Sequence, residues 1–136
     1  MAGPVEVRWQ KGGLRFEGKT VHGTIDVASS SDEEGSGVTP MEALLVALGG
    51  CTGMDVAAIL LKMRQPLEEF WLEVNGQTAA EHPRRFTALE VVYHLKGELD
   101  EKKVRRAIEL SETKYCSVEA MLRPSVPIAS RYVMEP

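Results

Sequence analysis

Val5-Glu6-Val7-Arg8-Trp9 alternates apolar and polar side chains, the period of a strand with one buried face, and Gly12-Gly13 follows as a turn. Leu14-Arg15-Phe16-Glu17 repeats the alternation. Gly18-Lys19 interrupts it and Val21 to Ala28 resumes it through Val21, Ile25 and Val27, so the N-terminal stretch predicts a three-stranded meander. Residues 29–37 carry no apolar side chain, which reads as an exposed, mobile loop. The period then changes. Between Met41 and Leu61 only Glu42, Thr52 and Asp55 are polar, and apolar residues cover every face, which predicts a long helix buried all round. Thr39 is a suitable N-cap, Pro40 fits the first helical position, and Pro66 enforces a stop after Lys62 to Gln65.

Glu68 through Ala80 alternates around Phe70, Leu72 and Val74, residues 81–85 turn the chain, and Phe86 to Leu95 forms the return strand of a second hairpin. The break in alternation at Val91-Val92 reads as a bulge or as a strand covered on both faces. Asp100 caps an amphipathic helix whose apolar positions Val104, Ala107 and Ile108 continue to Ser111 and Tyr115. Ser117 is placed to cap a short helix through Leu122, and Val126 to Met134 reads as a closing strand, with Pro127 at a sheet edge or bulge. Strands and helices fall in runs, so the class is α+β, a largely antiparallel sheet against a long central helix. A sheet covers only one side of that helix, which predicts an obligate homodimer in which two such helices meet.

At 136 residues the chain is expected to form one domain, 1–136. A net charge of −4 with no basic run argues against nucleic acid or an anionic membrane as partner. The apolar helix approaches membrane-spanning length, but Glu42, Asp55 and its glycines favour a soluble core helix. The N-terminus lacks a basic end followed by an apolar run, so no signal peptide is expected and the expected location is cytoplasmic. In that compartment a disulfide between the two cysteines would be transient and chemical rather than a staple.

Cys51 and Cys116 are the strong nucleophile candidates. Gly49, Gly50 and Gly53 leave room beside Cys51 for a packed element or a substrate, and Cys116 begins a short helix, whose dipole favours thiolate. His22, His82 and His94 stand far apart, so no metal site is expected.

Pro40-x-Glu42, then Leu44-Leu45, small residues and Gly49-Gly50-Cys51, together with Lys114-Tyr115-Cys116-Ser117-Val118, resemble the osmotically inducible protein C and organic hydroperoxide resistance superfamily over nearly the whole chain. Thr39-Pro40-Met41-Glu42 is similar to its OsmC-like branch. The resemblance implies a strand-exchanged dimer with two long helices at its centre, and a peroxidase that reduces organic hydroperoxides without metal, flavin or other cofactor. On this chain it makes Cys51 the peroxidatic thiol and Cys116 the resolving thiol, with an external dithiol, such as a lipoylated protein, as reductant. The family's activating arginine maps best to Arg15, with Arg8 as rival, and its glutamate to Glu42.

That glutamate departs from the family pattern. In the peroxidases it directly follows the motif proline, where this chain has Met41. Nine residues at about 100° each put Glu42 and Cys51 on opposite faces of a straight helix, so Glu42 suits the helix N-terminus, where a negative charge is stabilising, better than a place beside the sulfur. Asp55, one turn beyond Cys51, shares its face and is placed either to hold a cation beside the sulfur or, unpaired, to raise the pKa of that thiol and slow it. Two other readings follow: an OsmC-like dimer that binds a small apolar or thiol-reactive ligand with little peroxidase activity, or one whose thiols are ordinary core residues.

Overall fold

The computed structural model describes residues 2–32 and 35–136, and the chain forms two compact units, Met1–Leu44 and Leu45–Pro136. In the first, β1 (Glu6–Trp9), β2 (Arg15–Lys19) and β3 (Thr24–Ala28) make the expected antiparallel meander, with Trp9 opposite Phe16 and Gly18 opposite Ile25. The Trp9 indole N–H donates to the Gly13 carbonyl at 2.7 Å and closes the first turn, where Gly12 takes a φ of 104° that favours glycine. The half-buried face is not formed: β1 is exposed throughout, and Val7, Trp9 and Ile25 lie open. Three short strands alone lack the area to cover one another's apolar side chains.

The loop reading over 29–37 falls partly on residues 33 and 34, outside the described residues. Within its described part Leu14 N donates to the Asp32 carboxylate at 2.9 Å, and just after the loop Val38 bridges Val27 in parallel. Thr39 and Glu42 then form a reciprocal capping box. Glu42 N donates to Thr39 Oγ1 at 3.1 Å, and Thr39 N donates to Glu42 Oε1 at 2.8 Å.

That box starts α1 (Pro40–Lys62), the one helix among the described residues long and apolar enough to cross a membrane. It is a core helix. Leu48, Thr52, Gly53, Val56 and Leu60 form a buried stripe, and Thr52 is held by side chains of two other elements. Burial on all sides is not achieved within one chain, because the stripe beside it stays open: Val46, Met54 and Leu61 are 67%, 75% and 61% exposed.

In the second unit β4 (Glu69–Thr78) pairs antiparallel with β5 (Phe86–Lys96), and β6 (Ile128–Glu135) adds parallel to the other edge of β5. Of the two readings of Val91-Val92, coverage on both faces holds: Val91, Val92 and Tyr93 are all buried in unbroken register, and the irregularity falls at Gln77/Thr78. Gly49 and Gly53 are where α1 meets β4. A Cβ there would stand 3.0 Å from Val74 and from Leu72, so two of the three glycines serve packing against the sheet.

The second helix, α2 (Glu101–Leu110), is capped by Asp100 as expected, with Lys102 N donating to its carboxylate at 2.9 Å. It buries Val104, Ala107 and Ile108 in one core with Leu48, Val56 and Leu60 of α1 and Val91, Tyr93 and Leu95 of β5. Beyond Leu110 the helix continues to Tyr115 with a wider turn. Ser111–Tyr115 is a π-helical turn closed by Cys116 N donating to the Ser111 carbonyl at 2.8 Å, and α3 (Ser117–Leu122) follows. The N-cap of α3 is Cys116 rather than Ser117. Pro127 stands just before β6, where its carbonyl accepts from Leu89 N at 2.9 Å and its missing N–H lies ahead of the paired residues, at the start of the strand.

Candidate active site

Cys51 and Asp55 are four residues apart on α1, hence on one face, and the π-turn brings Cys116 to them. The two sulfurs and a carboxylate oxygen of Asp55 all lie within 4.8 Å of one another, and both thiols are free. Among the described residues, two thiols and a carboxylate at this spacing could also hold a cation, a grouping invisible in the sequence spacing. A disulfide needs the sulfurs about 2 Å apart, up to about 3 Å closer than that limit.

The thiols differ in environment. Cys51 is half-buried and Cys116 is 4% exposed. Burial pushes the Cys116 thiol up to about 12. The Glu119 backbone N–H, donating to its sulfur at 3.4 Å, pulls the other way, while Cys51 and Glu119 add to the rise. Helix α3 has six residues, and its N-terminal amides do not outweigh the loss of water, so the thiolate expected at Cys116 gives way to a proton-bearing thiol.

Behind the thiols lies a polar chain. Ser111 Oγ donates to Asp55 Oδ2 at 2.9 Å and stands 2.8 Å from Thr52 Oγ1, which stands 2.9 Å from the Tyr93 hydroxyl. Tyr93 donates to Glu112 Oε2 at 2.8 Å, and Ser130 Oγ donates to Glu112 Oε1 at 3.1 Å. Burial, more than any charge, raises the Tyr93 phenol and keeps it a donor. In front of Asp55 is an open, mostly apolar groove of about 470 Å³ whose walls include Ala58, Ile59, Met63, Leu110 and Tyr115.

Glu119 is 1% exposed. Its Oε1 is paired with Arg123, which also donates to the Glu112 carbonyl at 2.9 Å, and its Oε2 has no partner among the described residues. Burial, then the nearby Glu112 charge, raises its carboxyl, with Arg123 opposing. The native state therefore keeps a proton that the unfolded chain releases near the ordinary glutamate value. This term stabilises fully below that value and is lost as pH rises through the raised native one. Glu119→Gln removes the term, so the stability difference between variant and parent is expected to move in the variant's favour from about pH 4 upward, read by urea denaturation at several pH values. A difference that stays flat with pH refutes it.

Of the other expected site residues, Arg15 is in the N-terminal unit, where its guanidinium lies 4.0 Å from Asp26, and Arg8 pairs with Glu6 at 2.8 Å. The carboxylate of Glu42 is engaged in the capping box. Thr52, Tyr93, Ser111 and Glu112 carried no signal, since a polar residue on a helix or strand does not reveal its partner 41 or 59 positions away.

The family profile described as OsmC-like protein matches residues 31–131. The chain belongs to that family. Among OsmC-like relatives, Protein YhfA of Escherichia coli K12 is 35% identical over 127 residues, covering 93% of each chain. The crystal structure of a hypothetical protein from Aquifex aeolicus VF5 superposes with a TM-score of 0.83 at 34% identity, over 98% of this chain and 97% of that one. The organic hydroperoxide resistance protein OhrB of Bacillus subtilis shares the fold, with a TM-score of 0.65 at 14% identity over 96% and 98% of the two chains.

Proposed function

We propose that the protein is a thiol-dependent peroxidase that reduces organic hydroperoxides through Cys51 and Cys116, as a homodimer of one OsmC-like domain spanning residues 1–136. The supporting observation is the meeting of two free thiols with Asp55, a residue that also lines a mostly apolar groove, within a family whose fold is shared with an organic hydroperoxide resistance protein. Cys51, the more open thiol, attacks the distal peroxide oxygen as thiolate. The S–O bond forms, the O–O bond breaks, and the alkoxide leaves as alcohol once protonated. Cys116 then attacks the sulfenic acid, a disulfide forms, water leaves, and an external dithiol, such as a lipoylated protein, restores both thiols. Arg15 is the cation assigned to the Cys51 thiolate, and Glu42 the acid assigned to hold that arginine. The site is placed in the cytoplasm, where such dithiols are kept reduced.

The test is consumption of cumene hydroperoxide with dihydrolipoamide, with mass spectrometry of the oxidised protein for a Cys51–Cys116 disulfide. Absence of turnover, or a disulfide only between chains, refutes the two-thiol scheme. One observation favours a second reading: Glu42 is committed to capping the helix and Met41 holds the peroxidases' acid position. Slow turnover with saturable binding of an apolar or thiol-reactive ligand selects that reading.

A further inference from the structure

Asp55, Ser111, Thr52, Tyr93 and Glu112 are joined by four links of 2.8–2.9 Å. Each of the three hydroxyls brings one hydrogen, and two ionised carboxylates bring none, so three hydrogens serve four links. Thr52, Tyr93 and Ser111 are completely buried, and two hydroxyl oxygens at such distance with no hydrogen between them are costly away from water. One further proton on either terminal carboxyl gives every link a hydrogen and aligns all four. When each group hands its hydrogen to the next, the alignment reverses and the proton moves from one end to the other.

The ends suit that transfer. Asp55 stands against both sulfurs. Glu112 is half-buried and faces a second open groove, with Ser130 and Thr113 in its walls, where water can recharge it. We infer that Asp55–Ser111–Thr52–Tyr93–Glu112 is a proton relay that carries a proton from the Glu112 surface to Asp55 for the leaving alkoxide. This rests on the peroxidase reading above. In the first step Cys51 thiolate, hydroperoxide and the Asp55 carboxylic acid give sulfenic acid, alcohol and the Asp55 carboxylate. In the second step that carboxylate takes the Cys116 thiol proton as the sulfur attacks, and returns it to the departing hydroxide to make water. The relay then reloads Asp55 for the next hydroperoxide. Asp55 is then a catalytic residue, while Thr52, Tyr93 and Ser111 act through it.

The experiment separates relay from scaffold by leaving group. Cumene hydroperoxide expels an alkoxide, which needs a proton, whereas peracetic acid expels acetate, which needs none. Oxidation of Cys51 in the full-length reduced protein is followed in single turnover with both peroxides, for the parent, Thr52→Val and Thr52→Ser. Thr52→Val keeps the side-chain shape and cuts the chain. Its rate with cumene hydroperoxide is expected to fall about 100-fold, the lower range for general acid catalysis. Its rate with peracetic acid should stay within about twofold of the parent's, and Thr52→Ser should restore the first rate. Tyr93→Phe, cutting the next link, should repeat the pattern. Equal losses with both peroxides, or no loss with either, overturn the relay while leaving the peroxidase reading standing. A parent that reduces neither peroxide overturns both.

Discussion

Cys51→Ser is expected to lose at least about 1000-fold in the rate of alkyl hydroperoxide reduction, the scale on which removing a nucleophile acts when neighbouring groups cannot replace it. A serine hydroxyl is not ionised near neutral pH and its oxygen does not form a stable bond to peroxide oxygen. Cys116→Ser behaves differently. Cys51 remains, so one equivalent of peroxide should be consumed at near the parent rate and the sulfenic acid should persist, trapped by dimedone, before turnover stops for want of a disulfide. Stopped-flow oxidation followed by dimedone labelling distinguishes the two. Full turnover in Cys51→Ser removes the proposed nucleophile, and an exchange of the two phenotypes reverses the roles.

The second large effect concerns the outer face of α1. At about 100° per residue Val46, Gly50, Met54, Ala57 and Leu61 fall within one quadrant, beside the buried stripe and outside it. Burying a large apolar side chain is worth about 1.5–3 kcal/mol, so Met54 and Leu61 against a partner helix contribute roughly 4 kcal/mol, a factor of about 1000 in dissociation constant. Met54→Glu with Leu61→Glu adds the cost of desolvating two carboxylates. Sedimentation velocity should give a dimer for the parent at micromolar concentration, and a monomer or an unfolded chain for the double variant. A monomeric parent, or a dimeric double variant, refutes this interface.

Much of the fold was legible because its signals are local. The meander, the hairpin, the Asp100 cap and the stop before Pro66 each follow from alternation, turn residues or caps within a few positions. The π-turn was not legible. Residues 111–115 carry an ordinary helical pattern, and the widened turn appears once Ser111 is drawn to Asp55 and Thr52 on another helix. The same insertion moved the cap of α3 from Ser117 to Cys116.

By itself, the sequence determined that one long helix with unusual glycines and a cysteine organises the chain, and the residues around two thiols were specific enough to identify the family. Periodicity and short motifs depend on neighbours along the chain. Tertiary structure alone decided that Asp55 joins both sulfurs, that Cys116 keeps its proton, and that three hydroxyls from α1, β5 and the π-turn connect to Glu112. Distance, burial and hydrogen-bond direction belong to residues brought together from far apart, and no local pattern encodes them.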